Sequence, residues 1–388
     1  MQLILAFILI LPYSVIAEIC NKKSYNVVCY LASWSVYREG KGAFNVSYVV
    51  PDYCTHLVYT FAGLNLAGGI DSLDYYNDIN VNKGYEKIVE LKEDNPCLQI
   101  MLAVGGWNEG SEKYSLMAES EDTRKLFADQ ALKFLSHFGF DGLDLDWEYP
   151  TQRGGIPEDR ENFVLLLEEL KEKFQRRKKL LTVAIGGSTQ LIQQAYNVSA
   201  LCSFLDFVNL MGYDYKIKDK TSLDAPIYPE AGQRTESIDE AVAYLRKNGC
   251  PPSKIVLGIT TMAKTYTLRP GNVATFNTGV TVQGPGKPGP FTKSAGSLGY
   301  NELCEQIITN KWSTKILPMA GVMVGYHGDQ WATFEDAKTV GMKARYVRDK
   351  GLGGIMFWTV DTDDFHGDCN NEAYPLLLAA NRVFGYAS

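Results

Sequence analysis

The stretch Phe140-Asp141-Gly142-Leu143-Asp144-Leu145-Asp146-Trp147-Glu148-Tyr149-Pro150 alternates acidic and apolar residues. Side chains alternate between the two faces of a β-strand, so Asp144, Asp146 and Glu148 share one face. The opposite face then carries Leu143, Leu145 and Trp147. This pattern predicts a strand of a closed barrel, with its apolar face against surrounding helices and its acids pointing inward.

The row of acids also predicts that one of its members can act as a proton donor. Acids on alternate positions of one strand lie roughly 6–7 Å apart, and in a low-dielectric interior they cannot all ionise cheaply. At least one should therefore hold a proton near neutral pH. Glu148 stands last in the row, at the carboxyl end of the strand where barrel active sites lie. A glutamate with a raised pKa is the acid that cleavage of a glycosidic bond needs, with Asp146 tuning it. A magnesium or calcium site is the alternative for three acids in a row.

Seven further apolar runs extend this pattern along the chain. Near-continuous apolar runs bounded by Gly, Pro or charge predict strands that are covered on both faces, as in a parallel sheet. The eight runs are Val27–Trp34, His56–Ala62, Gln99–Gly105, Gly142–Trp147, Leu180–Gly186, Phe204–Tyr213, Lys254–Thr260 and Gly353–Val360. Helical spacing of apolar residues lies between several of them, at Glu121–His137, Glu161–Lys178, Ile238–Lys247 and Ala337–Lys350. Together they predict an α/β fold, a (β/α)8 TIM barrel.

One interval does not fit the alternation of strands and helices. From about Lys264 to Phe334 the chain is rich in Gly, Pro and Thr. A structureless loop of this length is improbable in a compact domain. We therefore predict a small α+β insertion domain at 264–334, between strands 7 and 8 of a catalytic barrel formed by 18–263 and 335–388.

The amino terminus and the composition indicate a secreted, extracellular protein. The apolar run Leu3–Leu11 is too short to span a bilayer, and Val15-Ile16-Ala17 offers small residues for cleavage, so 1–17 reads as a signal peptide. Eight cysteines suit disulfides, and Asn45 and Asn197 stand in glycosylation sequons. A net charge of −7 argues against a nucleic-acid partner. We expect a monomer with no membrane partner, no cofactor and no metal.

A family resemblance adds to these patterns. The spacing Asp141-x-x-Asp144-x-Asp146-x-Glu148 resembles the DxxDxDxE signature of the chitinases of glycoside hydrolase family 18. In order along the chain, Ala103–Trp107, Met211–Asp214 and Gly354–Trp358 resemble the third-, sixth- and eighth-strand segments of that family. The likeness covers about residues 26–385, nearly the whole chain after the leader.

The resemblance implies an endochitinase that cleaves chitin or chitooligosaccharides by a substrate-assisted retaining mechanism. The acetamido oxygen of the substrate would attack the anomeric carbon while Glu148 protonates the leaving oxygen and then activates water. Asp146 would hold the acetamido N–H, Asp144 would set the protonation of Asp146, and Tyr213 would donate its hydroxyl to the acetamido group. The resemblance also implies substrate-binding roles for the remaining cleft residues: Tyr30, Trp34, Phe61, Gly106, Trp107, Tyr149, Met211, Asp214 and Trp358.

The same resemblance implies the disulfides Cys29–Cys54 and Cys304–Cys369. It leaves Cys20, Cys97, Cys202 and Cys250 with three possible pairings.

Two segments depart from the family pattern. After Asp214 most of these chitinases continue with Phe-His-Gly and a nearby Trp, whereas this chain reads Tyr215-Lys216-Ile217-Lys218-Asp219. The seventh strand usually ends in Pro-x-Tyr-Gly-Arg, whereas this chain reads Thr260–Lys264, with Met262 and Lys264 in the places of the Tyr and the Arg. Replacing a forked guanidinium by a point charge is not conservative. The alternative function is therefore a catalytically weak chitinase-like protein that binds glycans or acts as a growth factor.

Overall fold

The computed structural model describes residue 20 and residues 23–230, 236–369 and 371–387. The predicted leader, residues 1–17, lies outside these ranges. The strands are β1 (Asn26–Ala32), β2 (His56–Leu64), β3 (Ile70–Ser72), β4 (Gln99–Gly105), β5 (Gly142–Asp146), β6 (Leu180–Gly186), β7 (Phe207–Met211), β8 (Ile255–Thr260), β9 (Met262–Leu268), β10 (Val282–Pro285), β11 (Ser297–Gly299), β12 (Ser313–Leu317), β13 (Val322–His327), β14 (Gln330–Phe334) and β15 (Gly354–Trp358).

Within the described ranges, ten α-helices follow or connect these strands. They are α1 (Gly84–Asp94), α2 (Glu112–Glu119), α3 (Glu121–Phe138), α4 (Asp159–Gln175), α5 (Thr189–Ala195), α6 (Val198–Phe204), α7 (Ile238–Lys247), α8 (Tyr300–Thr309), α9 (Ala337–Lys350) and α10 (Pro375–Phe384). None of the helices in the described ranges combines the length and the apolar character needed to cross a bilayer.

Eight parallel strands close into a barrel, which confirms the predicted fold class. Their order is β1-β2-β4-β5-β6-β7-β8-β15, and β1 pairs with both β2 and β15 to close the ring. Alternation along each strand separates two apolar layers. In β1, Val28 and Tyr30 belong to the cluster inside the barrel, whereas Val27, Cys29 and Leu31 pack outward in the larger cluster that includes the helices.

A second, antiparallel sheet lies in the chain between β8 and α9. Its order is β10-β9-β14-β13-β12, and β11 pairs with β9. The helix α8 also belongs to this segment, although its sequence did not stand out as a helical pattern. The sheet begins at Met262, directly after the barrel strand that ends at Thr260.

One strand begins later than its apolar run suggests. The run Phe204–Tyr213 predicts a strand throughout, but α6 ends at Phe204 and β7 begins at Phe207. Asp206 lies between them, where its carboxylate accepts hydrogen bonds from the backbone N–H of Leu181 and from Lys171. A polar anchor therefore separates the two elements, and an apolar run alone does not reveal it.

Four disulfides hold the chain: Cys20–Cys97, Cys29–Cys54, Cys202–Cys250 and Cys304–Cys369. The second and the fourth are the pairs that the family resemblance implies. The other two select one of the three pairings that the sequence left open. The residues described contain no free cysteine.

Candidate active site

The row of acids lies where the strand pattern placed it. β5 ends at Asp146 and Glu148 follows two residues later, at the carboxyl end of the barrel. Asp144 is fully buried, and Glu148 retains 9% of its exposure. On the other face, Leu143, Leu145 and Trp147 pack into the outer apolar cluster. The alternation of β5 thus directs the acids inward.

Asp144 lies at the bottom of the row and is held by residues of three other strands, β1, β6 and β7. Its carboxylate accepts hydrogen bonds from the Tyr30 hydroxyl at 2.6 Å, the Thr182 hydroxyl at 2.5 Å and the Asn209 amide at 3.2 Å. Burial raises the pKa of Asp144, and these hydrogen bonds oppose the rise. Sequence reasoning missed Thr182 and Asn209, because isolated polar residues within apolar runs give no signal by themselves.

The next two acids have fewer partners. Burial raises the pKa of Asp146 well above its ordinary value, and the charges of Glu148 and Asp144 raise it further. Burial also raises the pKa of Glu148, while a hydrogen bond with Tyr149 and the charge of Arg153 lower it. The Oδ1 atom of Asp146 is buried and has no hydrogen-bond partner. The raised pKa values favour a proton shared by this pair, and Asp146 offers an unused acceptor.

Two glycines allow β4 to approach the acids closely. Gly105 and Gly106 have φ values of 122° and 88°. A Cβ at Gly105 would lie 2.2 Å from the carbonyl oxygen of Asp146, and a Cβ at Gly106 would lie 2.7 Å from the Phe61 ring. The Gly106 N–H donates to that same carbonyl at 2.7 Å. Only glycine fits both the conformation and the space.

A cleft of about 520 Å³ opens above the acids, a size typical of small-ligand sites. It brings together most of the residues that the sequence singled out. Those that line it are Tyr30, Trp34, Phe61, Gly106, Trp107, Asp146, Glu148, Met211, Tyr213, Asp214 and Trp358. Asp144 lies beneath the cleft, and Tyr149 lies beside it, with its ring 6.5 Å from that of Trp107.

Aromatic rings form the floor and one wall. Trp358 lies 5.7 Å from Phe61, 5.8 Å from Tyr30 and 6.3 Å from Trp34, measured between ring centroids. Trp34 and Trp107 are 44% and 57% exposed. Exposed indole faces beside a polar cleft are surfaces on which sugar rings can stack.

Arg153 is a further residue of the site that sequence reasoning did not single out. Its guanidinium lies 3.6 Å from the centre of the Trp107 ring and donates a hydrogen bond to the backbone carbonyl of Glu148 at 2.8 Å. It therefore connects an exposed aromatic face to the segment that carries the terminal acid.

The altered seventh strand lies beside this cleft. Lys264 forms an ion pair with Asp214 at 2.9 Å. A side cavity of about 200 Å³ shares Tyr213, Asp214 and Trp358 with the main cleft and is also lined by Met262 and Asp224. The departure from the family pattern thus changes the wall at one end of the site.

Metal-like spacing of side chains occurs outside the acid row. Among the residues that the structure describes, one group of three side chains has metal-like spacing, namely Cys304, Asp364 and Cys369. Both cysteines of that group form a disulfide with each other.

A closed parallel barrel with acids at the carboxyl end of one strand and an aromatic cleft above them defines the class of (β/α)8-barrel glycoside hydrolases. The chain belongs to the family described as glycosyl hydrolases family 18, whose sequence model matches residues 26–363.

Known relatives agree with this family. Probable chitinase 2 of Drosophila melanogaster is 40% identical over 359 residues, which are 88% of this chain and 73% of the relative. The crystal structure of the Ostrinia furnacalis Group II chitinase catalytic domain 2 has a TM-score of 0.90 at 34% identity, covering 94% of this chain and 98% of that one. Human YKL-39, described as a pseudo-chitinase with retained chitooligosaccharide binding properties, has a TM-score of 0.85 at 32% identity, covering 93% of this chain and 100% of that one.

Proposed function

We propose that this protein is a secreted endochitinase that hydrolyses β-1,4 bonds between N-acetylglucosamine units with retention. The observation that carries the proposal is the intact row of buried acids ending at Glu148 beneath an open aromatic cleft. The names of the relatives supply the substrate class.

Each acid has a distinct role in the proposed reaction. Glu148 holds a proton because burial raises its pKa, and it protonates the leaving oxygen. The acetamido oxygen of the bound sugar attacks the anomeric carbon, and Glu148 as carboxylate then activates water.

The free Oδ1 of Asp146 accepts the acetamido N–H, which places the acetamido oxygen for attack. Asp144, fixed by its three hydrogen bonds, keeps Asp146 from ionising independently. Tyr213 lines the cleft at 9% exposure and donates its hydroxyl to the acetamido group.

Replacement of the terminal acid tests the assignment. Glu148→Gln keeps the size of the side chain and removes its proton, so hydrolysis of fluorogenic chitobiose and chitotriose substrates should fall by about 100-fold or more. The matched control is Glu168→Gln, the same change at an exposed position of α4, which should leave the rate unaltered. A Glu148→Gln variant with undiminished turnover would refute the role of Glu148.

A second function, glycan binding with weak catalysis, is favoured by the ion pair between Lys264 and Asp214. This pair places a compact cation at the cleft wall and occupies a carboxylate that otherwise faces substrate. Calorimetry with chitotetraose separates the two functions, because tight binding by the unmodified protein without turnover would support the second.

A further inference from the structure

The connection between β1 and β2 leaves a gap in the ring of helices. In place of an α-helix it contains four 3₁₀ turns, at Ser33–Tyr37, Gly40–Gly42, Val46–Tyr48 and Pro51–Tyr53. A cavity of about 710 Å³ lies between this connection and α1. Its volume is within the range of about 300–1,000 Å³ that is typical of ligand sites, yet the proposed reaction does not use it.

The cavity has a mixed lining. Its apolar part includes Leu31 and Tyr59, which are buried, whereas Lys87, Glu90 and Glu93 are exposed along the side formed by α1. The buried polar residues Ser33 and Asn77 also line it. A base of apolar and polar side chains with a hydrophilic rim suits a ligand that has an apolar face and many hydroxyl groups, as a pyranose sugar has.

A glycosylation sequon forms the opposite side of the same cavity. Asn45, Val46 and Ser47 all line it, and Asn45 is exposed. The Oδ1 atom of Asn45 accepts hydrogen bonds from the Ser47 backbone N–H at 2.8 Å and from the Ser47 hydroxyl at 2.6 Å. The Nδ2 atom of Asn45 makes no hydrogen bond to any residue that the structure describes, and this is the atom to which an N-linked glycan is joined.

In the other sequon, the side chain of Asn197 is engaged in hydrogen bonds. The Oδ1 atom of Asn197 accepts from the Ala200 N–H at 3.5 Å at the start of α6, and its Nδ2 donates to the carboxylate of Glu161 at 3.2 Å. Attaching a sugar at Nδ2 would disturb this contact between two helices, because one of the two donor hydrogens is replaced. The fold therefore leaves Asn45 available and engages Asn197.

We propose that Asn45 carries an N-linked glycan and that its first two N-acetylglucosamine residues lie in this cavity, covering the gap between the β1–β2 connection and α1. The inference rests on passage of the chain through the secretory route, and it is independent of whether the cleft hydrolyses chitin.

Occupancy is measured on the full chain secreted from cultured insect cells. Glycopeptide mass spectrometry should find most copies modified at Asn45. A second version, in which the leader of another secreted protein replaces residues 1–17, ensures secretion even where residues 1–17 do not direct it. A secreted chain that is unmodified at Asn45 would overturn it.

Protection of the glycan tests its seating in the cavity. Protein made with high-mannose glycans is digested by an endoglycosidase that cleaves between the first two sugars. Cleavage at Asn45 should be about tenfold slower in the native protein than after denaturation, on the expectation that buried bonds react through rare opening. The double variant Lys87→Ala/Glu90→Ala removes part of the rim and should restore cleavage. Equal rates in native and denatured protein would reject the seated glycan.

The glycan should also stabilise the fold. Ser47→Ala prevents modification at Asn45 and should lower the melting temperature of the secreted protein, whereas Ser199→Ala, the same change in the other sequon, should not. Both variants made in bacteria, which add no such glycan, should melt together with unmodified protein. A drop for Ser47→Ala in the bacterial protein as well would assign the effect to the lost hydroxyl and contradict a stabilising glycan.

Discussion

Asp224→Asn should stabilise the folded protein at alkaline pH. The Asp224 carboxyl is 5% exposed, its Oδ1 atom has no hydrogen-bond partner, and it lines the side cavity next to the cleft. Burial raises its pKa to about 7 from an ordinary value of 3.8, the charge of Asp214 adds to the rise, and Lys264 opposes it. The ionised form is therefore the costly one in the folded state.

The magnitude follows from linkage between protonation and folding. The pKa of Asp224 in the folded state, about 7, exceeds the ordinary 3.8 by about three pKa units. Each unit corresponds to about 1.36 kcal/mol, so ionisation of Asp224 lowers the free energy of unfolding by about 4 kcal/mol. Between these two pKa values the folded state holds a proton that the unfolded state has released. The stabilisation by Asp224 is thus complete below about pH 4 and is lost as the pH rises through about 7. An asparagine has no such dependence.

Urea unfolding of both proteins at several values from about pH 4.5 to pH 8, with the disulfides intact, measures the difference. The two should have similar free energies of unfolding at the acid end, and the variant should be more stable by up to about 4 kcal/mol at the alkaline end. Parallel pH profiles, with no gain at pH 8, would refute the reasoning.

Asp363→Asn is the matched control. Burial also raises the pKa of Asp363 to about 7, but its carboxylate accepts hydrogen bonds from the backbone N–H groups of Leu376, Leu377 and Asp364. An amide has only one oxygen to offer, so this variant should lose about 1–3 kcal/mol even at the acid end. Two buried acids with a similar pKa should therefore respond differently, because Asp363 accepts three backbone hydrogen bonds whereas the Oδ1 atom of Asp224 accepts none.

Arg153→Gln should move the alkaline limb of the pH–rate profile to higher pH. The Arg153 cation lowers the pKa of Glu148, which must stay protonated as the acid, so removing the cation raises that pKa. Initial rates between about pH 4 and pH 9 measure the shift, and an unmoved limb would contradict it. Tyr30→Phe removes one of the three hydrogen bonds to Asp144 and should lower the free energy of unfolding by about 1.5–3 kcal/mol, so an unchanged urea midpoint would count against the network. Trp34→Ala, in the Glu148→Gln background, should weaken chitotetraose binding by about two- to tenfold, corresponding to about 0.5–1.5 kcal/mol of ring contact, and unaltered calorimetric affinity would exclude stacking there.

Helices and strands could be predicted from the sequence wherever their buried residues recur with a regular period. The strands Gln99–Gly105 and Leu180–Gly186 and the helices Ile238–Lys247 and Ala337–Lys350 have the bounds that their apolar patterns predict. Short helices whose starts are fixed by a capping side chain could not be predicted in this way. The helices at Thr189–Ala195 and Val198–Phe204 each have two turns, and their starts are fixed by the side chains of Ser188 and Asn197. A seven-residue helix presents too little periodicity to detect, and a single capping residue is a weak signal.

The site divides in the same way. Alternation along one strand was enough to place Asp144, Asp146 and Glu148 on one face, because the period of a strand is fixed by its backbone. The partners of these acids come from other strands. Asn209 is 65 residues from Asp144, and its amide reaches the carboxylate only because the barrel closes. Arg153 reaches Trp107 through a loop whose path no local pattern predicts.

The energetics of the acid row bear on which proposed function fits better. Burial raises the pKa of Asp144, Asp146 and Glu148, so holding these groups inside the barrel costs free energy of folding. A protein that only binds sugar could rely on the exposed faces of Trp34 and Trp107, which carry no such cost. A buried Oδ1 without a partner on Asp146 adds to the cost unless a ligand supplies the missing donor. A row of buried acids lowers the stability of the fold but supplies the groups that proton transfer needs. The presence of this row therefore favours hydrolysis over glycan binding alone.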